Sequence, residues 1–157
     1  MGRMYSVPFS AVSVSAAQDL FEVLASTAKP IVLHEIIIAQ SSDYGDAAAE
    51  GLGILVKKAT GSYTSGSGGS TVTPAKHSTN DAAAGPTAEI NNTSQASAGS
   101  GALTTIRAEA FNVQAGWQYL PPPEARITFL PAEAIVVSIT APADAVTMSG
   151  TLVFEEL

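Results

Sequence analysis

Apolar and polar residues alternate along two parts of the chain, one near its beginning and one toward its end. Residues 11–15 read Ala-Val-Ser-Val-Ser, so one side of this segment is apolar and the other carries hydroxyl groups, which is the period of a half-buried β-strand. Residues 31–39 follow Pro30 and are rich in β-branched side chains, which indicates a central strand. The same signals predict further strands over residues 4–9, 51–58, 103–111, 111–119 (with a turn or bulge at Gly116), 126–130, 134–139 and 146–156.

The segment from Asp19 to Ser26 has two interpretations. Leu20, Val23 and Leu24 have the spacing of one helical turn, whereas the short length of the segment and its strand-forming neighbours favour a strand. Outside the middle of the chain, turn residues recur about every 8–12 positions, a spacing typical of antiparallel sandwiches and barrels. The pattern therefore predicts an all-β fold, an antiparallel β-sandwich or barrel with about eight to ten short strands and few or no helices.

The middle of the chain, residues 61–101, lacks the apolar side chains that a core needs. Val72 and Ile90 are its only aliphatic residues larger than alanine, and Ser, Thr, Gly, Asn and Ala make up most of the rest. Such a composition buries too little apolar surface to offset the ~1–2 kcal/mol per residue that ordering a backbone costs. We therefore predict a long polar loop or arm here, with a brief strand or turn at residues 89–92. We expect it to take its shape from neighbouring subunits.

Length and charge limit the classes of protein to which the chain belongs. Its 157 residues suffice for one domain with its own core, which we place over residues 1–157. The net charge of −7 and the absence of a Lys/Arg cluster argue against a nucleic-acid partner. The chain has no cysteine, which excludes disulfide scaffolds, thiolate metal sites and cysteine nucleophiles. Its longest apolar run lies within residues 31–39 and is too short to span a bilayer, so we expect no membrane partner.

No residue pattern in the sequence marks a catalytic site. His34 lies within an apolar strand, where we expect a core or interface residue with one hydrogen-bond partner, and His77 lies in the polar middle. No serine stands in the G-x-S-x-G turn of a hydrolase. The glycine-rich run at residues 66–71 lacks the lysine of a phosphate-binding loop, and we interpret it as a flexible linker. We predict a protein that is not an enzyme and has no cofactor.

Two further groups of residues bear on binding. Asp43, Asp46 and Glu50 lie in one polar turn; they either bind Ca²⁺ through carboxylate oxygens or form a solvated acidic turn, which we prefer because their spacing is not that of an EF-hand. Trp117 and Tyr119 share one strand face before the prolines at 121–123. These aromatics are either an exposed platform for a sugar or a protein, or an anchor in the core, which we prefer. Five residues are our candidates for binding a partner: Tyr63, Val72, Ile90, Trp117 and Tyr119.

Several segments of the chain resemble small virion-associated proteins of tailed bacteriophages. They are residues 5–9, 16–22, 40–43, 89–93, 111–117, 121–124 and 148–152. Members of this group with assigned roles tend to be capsid decoration, or cement, proteins with jelly-roll-like sandwiches, and they are often trimeric. The resemblance therefore implies a jelly-roll-like fold, a homotrimer, the major capsid protein as partner and a location on the outside of the virion. It assigns no site residue.

Composition is compatible with such a role. Only 13% of the residues are charged, against roughly 25% in a typical globular domain, and this suits a surface that neighbouring subunits cover. Our first hypothesis is a structural protein that oligomerises and stabilises a phage head from outside. The alternative is a carbohydrate- or receptor-binding component of a phage tail or fibre, in which Trp117 and Tyr119 stack on sugar. A third hypothesis is a hydrolase that uses carboxylates or His34.

Overall fold

Two antiparallel β-sheets pack face to face in the computed structural model, which describes residues 2–41 and 50–157. The described residues form twelve strands and one short 3₁₀ turn, Pro123–Ala125, so the predicted all-β sandwich is confirmed and the segment from Asp19 to Ser26 contains a strand. The strands are β1 (Arg3–Val14), β2 (Gln18–Leu24), β3 (Ile31–Gln40), β4 (Gly51–Thr60), β5 (Ser70–Val72), β6 (Ala75–Lys76), β7 (Thr87–Asn92), β8 (Ala102–Asn112), β9 (Trp117–Tyr119), β10 (Ile127–Phe129), β11 (Ala134–Ile139) and β12 (Val146–Glu156).

The strand order is that of a jelly roll. The front sheet has the order β10–β3–β12–β1–β6, with β9 also paired to β3. The back sheet has the order β5–β7–β2–β11–β4–β8. The first long strand pairs with the last, and the second pairs with the penultimate, which is the double Greek key of a jelly-roll sandwich. A jelly roll has one strand between those that correspond to β8 and β11 along the chain. Here two short strands, β9 and β10, take its place, because the prolines at 121–123 interrupt the strand.

The core lies between the two sheets. β4 buries every second residue from Leu52 to Val56, whereas the buried side of β3 switches between Leu33 and Ile36, where its register with β12 shifts. Tyr5 stacks on Phe154 of the neighbouring strand with ring centroids 5.6 Å apart, and Phe9 packs on Phe21 of the opposite sheet at 5.2 Å. β11 differs from the other strands because all six of its residues are buried. Its outward-facing side is therefore covered as well.

Residues 61–101, which we call the middle segment, do not form the predicted arm. They fold back onto the sandwich, where β7 pairs with β2, β5 pairs with β7, and β6 pairs with β1 of the front sheet. The brief strand predicted at residues 89–92 is part of β7. The stretches before β5 and after β7 run antiparallel and are joined by two isolated bridges. The prediction weighed apolar side chains alone, whereas hydrogen bonds hold much of this segment in place.

Strand β1 unites two predicted strands. The sequence predicts separate strands over residues 4–9 and 11–15, and the structure has one strand whose register shifts between Phe9 and Val12. Ala11 adopts a left-handed backbone conformation there, with a φ of 54°, and such an extra residue is a β-bulge. The turn predicted at Gly116 is confirmed, since its φ is 73° just before β9 begins.

Candidate functional site

The five residues predicted to bind a partner lie in three places. Tyr63 packs on the outer face of the back sheet, against a small alanine-rich cluster. Val72 on β5 and Ile90 on β7 are half-buried against the main core. Trp117 and Tyr119 lie together on β9, in the front sheet. All five contact their own chain, and their binding to a partner stays a prediction.

Trp117 and Tyr119 form a packed cluster with two charged residues of β8. The two rings stack with centroids 6.3 Å apart and an interplanar angle of 13°. The Arg107 guanidinium lies over the Tyr119 ring, 4.9 Å from its centroid, and its Nε donates to Glu109 Oε1 at 2.7 Å. Trp117 Nε1 donates to Glu109 Oε2 at 2.9 Å. The cluster therefore joins the edge strand of the back sheet to the front sheet.

These contacts set the charge states within the cluster. Hydrogen bonds from Trp117 and Arg107 hold the pKa of the Glu109 carboxyl below its usual value. Burial raises the pKa of the Tyr119 phenol, so this group stays protonated at neutral pH. Arg107 and Glu109 point inward from an edge strand, which is one way in which proteins keep an exposed edge from pairing with another chain.

The geometry makes Tyr119 a core anchor and leaves Trp117 partly accessible. Tyr119 is 5% exposed and belongs to the main core, so its ring has no free face for a sugar. Trp117 is half-buried and lines a hollow of about 280 Å³ with Ile37, Gly116 and Gln118. The two rings therefore do not form the open aromatic platform that was one of the interpretations of the sequence.

The outer face of the back sheet carries Glu22, a buried carboxylate that holds the middle segment. Glu22 is 4% exposed. Its Oε1 accepts hydrogen bonds from the hydroxyls of Tyr63 and Ser65, both at 2.7 Å. Its Oε2 accepts from the N–H of Gly66 at 2.9 Å and from Asn92 Nδ2 at 3.3 Å. Burial and the neighbouring carboxylate raise the pKa of the Tyr63 phenol, so it stays a hydrogen-bond donor.

Asp19 is a second buried carboxylate on the same face, and it holds the returning part of the middle segment. It is 1% exposed, and its Oδ2 accepts from the N–H of Ala96 at 2.6 Å while its Oδ1 accepts from Ser138 Oγ at 2.5 Å. Burial raises the pKa of the Asp19 carboxyl above its usual value, and these two hydrogen bonds offset only part of that effect. Sequence reasoning missed both carboxylates as sites.

We expect the Asp19 carboxyl to make the protein less stable as the pH rises. Because its pKa is raised in the folded state, the folded protein binds this proton more tightly than the unfolded chain does. The resulting stabilisation is present below about pH 4, the usual pKa of aspartate, and is lost as the pH rises through the raised pKa. Urea unfolding should show the wild type losing stability relative to Asp19→Asn, which cannot titrate, over this range. A difference between the two that does not change with pH would contradict the expectation.

Much of the outer face of the front sheet is accessible, in contrast to the part of the back sheet formed by β2 and β11. Pro8 on β1 and Ala39 on β3 are exposed, and Ile37 on β3, which lies across the sheet from Pro8, is 41% exposed. Glu35 of β3 accepts a hydrogen bond from Gln118 Nε2 at 3.0 Å. Among the described residues, this face therefore combines apolar and hydrogen-bonded polar side chains.

The histidines lie apart from each other and from the two buried carboxylates. His34 has the hydrogen-bond partner predicted from the sequence, since its Nε2 lies 2.9 Å from Glu155 Oε2 on the front sheet. His77 is exposed, and its backbone N–H donates to the carbonyl of Met4 at 3.0 Å. Among residues 2–41 and 50–157, neither histidine lies next to a serine and a carboxylate in the arrangement of a hydrolase triad.

The glycine-rich run at residues 66–71 is not the flexible linker that the sequence predicts. Gly66 binds Glu22, and Ser67 forms a bridge with Ser94. Gly69 lies so close to the carbonyl oxygen of Ile90 that a Cβ at this position would clash with it. The glycines therefore permit close packing of the backbone, a role that composition alone does not distinguish from flexibility.

The predicted acidic turn lies mostly outside the described residues. Asp43 and Asp46 belong to the part that is not described, whereas Glu50 Oε2 accepts a hydrogen bond from the N–H of Ala143 at 2.7 Å. Over residues 2–41 and 50–157, no group of three or more His, Asp or Glu side chains is placed to hold a metal ion. Calcium binding by the turn stays a prediction.

Comparison with known proteins gives no match, since no family model, curated protein or solved structure is similar to the chain. In the part of the chain that the structure describes, no helix is long and apolar enough to cross a membrane.

Four surface hollows have volumes of about 210–290 Å³, below the roughly 300–1,000 Å³ of typical small-molecule pockets. The broad outer face of the front sheet is therefore the stronger candidate for binding.

Proposed function

We propose that this chain is a non-enzymatic structural protein of a bacteriophage virion, which oligomerises and binds the outer surface of the capsid to stabilise the head. The observation that carries the proposal is the difference between the two outer faces of the jelly roll. The part of the back sheet formed by β2 and β11 is covered by the middle segment, which Glu22 and Asp19 hold in place. The front sheet presents an accessible face of the kind that protein partners cover.

The fold and the composition support this role. Jelly rolls recur in viral shells, and this likeness of architecture raises the plausibility of a virion role without assigning it. With 13% charged residues, the surface loses little charge solvation when it is covered. Many identical copies on a capsid lattice add their contacts, so that a modest affinity of each subunit suffices for stable attachment.

The partners in this proposal follow from the resemblance to virion-associated phage proteins. They are the major capsid protein and two further copies of the chain in a homotrimer, on the exterior of the virion. A cyclic trimer joins two different patches of neighbouring copies. The five residues Tyr63, Val72, Ile90, Trp117 and Tyr119 stay our candidates for binding a partner, and each of them also packs within its own chain.

The proposal is tested in particles of the phage whose genome encodes the chain. Quantitative mass spectrometry of purified particles is expected to find the chain in many copies, in a fixed ratio to the major capsid protein. Particles made without the gene are expected to release DNA at a lower temperature, and adding the purified protein back should restore the wild-type temperature. If purified particles do not contain the chain, the proposal is wrong.

A carbohydrate- or receptor-binding tail component is the second candidate, favoured by one observation. Trp117 is partly accessible beside Gln118 in a hollow of about 280 Å³, and a tryptophan ring next to an amide is a combination that binds sugars by stacking and hydrogen bonding. A glycan array probed with the wild type and with Trp117→Ala tests this candidate. Each protein is probed with and without a calcium chelator, because calcium binding by the acidic turn is also a prediction. An array on which the wild type gives no signal would remove it.

A further inference from the structure

Large exposed hydrophobic side chains are distributed unequally between the two sheets. Among the described residues there are five, and four of them belong to the front sheet or directly follow one of its strands: Ile37 on β3, Leu120 after β9, Leu130 after β10 and Leu157 after β12. Only Ile106 lies on the back sheet. The strand register places Ile37 on the outer face of this sheet, whereas the three leucines lie just beyond the ends of its strands. An exposed apolar surface marks a site of interaction. We propose that the outer face of the front sheet packs against a second copy of this chain.

The strand register defines the residues of this face. Side chains of directly paired residues point to the same side of a sheet. Residues that are paired from strand to strand therefore form a row across the sheet, and the rows of Ile37 and Glu35 run across β1, β12 and β3. The rows are apolar or hydroxylated except at their ends: Pro8, Thr151, Ile37 and Gln118 in one, and Ser6, Val153 and Glu35 in the next, of which Val153 is only 9% exposed.

The charges on this face are few and already paired. Glu35 accepts a hydrogen bond from Gln118 at 3.0 Å, and Glu155 lies 2.9 Å from His34. A second copy that covers the face therefore buries no unpartnered carboxylate, which is the costly case. The chain carries a net charge of −7, so two copies repel each other over most orientations. A face with two partnered carboxylates keeps this repulsion small.

The face is also large enough for a specific contact. The long strands β1, β12 and β3 and the short strands β9 and β10 beside them lie about 4.8 Å apart and rise about 3.3 Å per residue, so that together they project an area of roughly 600 Å². The accessible surface of a corrugated face is larger than its projected area. The accessible area of this face is therefore close to the ~800 Å² that each partner contributes to a standard interface. The hollows described above are too small for a partner of comparable extent.

This inference rests on the oligomer in the proposed function, and it assigns the surface that forms it. The test compares Ile37→Glu with Ile106→Glu, because the two isoleucines are 41% and 40% exposed on strands of opposite sheets. Size-exclusion chromatography with light scattering at micromolar concentrations is expected to give an oligomer for the wild type and for Ile106→Glu, and a monomer for Ile37→Glu. The expected loss in association is at least tenfold, and Ala39→Glu on the same face should reproduce it. Thermal unfolding checks that each variant folds.

Other outcomes overturn the inference in distinguishable ways. If Ile37→Glu and Ala39→Glu keep the wild-type mass, another surface joins the copies, and the proposed function is unaffected. If Ile106→Glu dissociates the oligomer instead, the back sheet forms the interface. If the wild type is a monomer at every concentration, both the inference and the oligomer in the proposed function are wrong, whereas the presence of the chain in phage particles decides its role in the virion separately.

Discussion

Phe154→Ala is expected to lower the free energy of unfolding by about 3–5 kcal/mol. Phe154 lies on β12, which runs between β1 and β3 in the front sheet, and its side chain is fully buried. Its ring stacks on that of Tyr5 with centroids 5.6 Å apart. Alanine removes this contact and leaves a cavity that the paired strands on both sides cannot close. Urea denaturation at equal protein concentrations measures the loss.

Leu157→Ala is the control for this substitution. Leu157 lies three positions further along the chain and is 51% exposed, so we expect a change within about 0.5 kcal/mol. A loss below about 1 kcal/mol for Phe154→Ala would contradict a fully buried position. It would place the ring at the surface and undermine the pairing of β12 between β1 and β3.

Glu22→Ala is expected to destabilise the protein by about 2–4 kcal/mol, because it removes an acceptor from several buried donors at once. The hydroxyls of Tyr63 and Ser65 and the N–H of Gly66 all donate to this carboxylate. Without it, the first part of the middle segment loses its attachment to the back sheet. Urea unfolding measures the global effect, and hydrogen exchange is expected to show faster exchange at the Gly66 amide.

Two controls separate this effect from a loss of charge. Glu124→Ala removes an exposed glutamate of the 3₁₀ turn, and we expect it to change stability by less than about 0.5 kcal/mol. The Ala96 amide, which donates to Asp19, should keep its protection in Glu22→Ala. Equal effects of the Glu22 and Glu124 substitutions would mean that other contacts hold the middle segment.

Deletion of residues 61–85 distinguishes the predicted arm from the observed structure. If these residues formed a flexible arm, the sandwich would stay folded without them. The structure instead places β5 and β6 within this range, and Tyr5 of the core donates a hydrogen bond to the carbonyl of Ala82. We therefore expect the deletion to weaken cooperative unfolding, because it uncovers the outer face of the back sheet and the edge of β1.

Much of the fold follows from patterns that are local in the sequence. Alternation over residues 11–15 and the β-branched run over 31–39 predict strands, and both lie in β1 or β3. For Asp19 to Ser26 we preferred a strand to a helix because the neighbouring segments are strand-forming, and this choice was correct. The pairing of β1 with β12, which joins residues near the two ends of the chain, was not predicted, since periodicity does not specify a partner strand.

The candidate site was harder to predict because its contacts connect distant residues. The sequence does hold a signal, since Asp19 and Glu22 are charged residues within an otherwise apolar strand, and a buried carboxylate requires donors. The donors lie far along the chain: Tyr63 is 41 positions from Glu22, and Ala96 is 77 positions from Asp19. One sequence without its fold does not identify them.

The sequence by itself determined the fold class, the position of most strands, the absence of cysteine chemistry and the small number of charges. These properties depend on composition and on a two-residue period, which neighbouring residues determine among themselves. Only the tertiary structure decided that the polar middle segment covers the back sheet, that Tyr119 is buried, and that Ile37 lies on the accessible face of the front sheet. Those outcomes depend on which strand lies beside which, because burial and hydrogen bonding are properties of a side chain's neighbours in space.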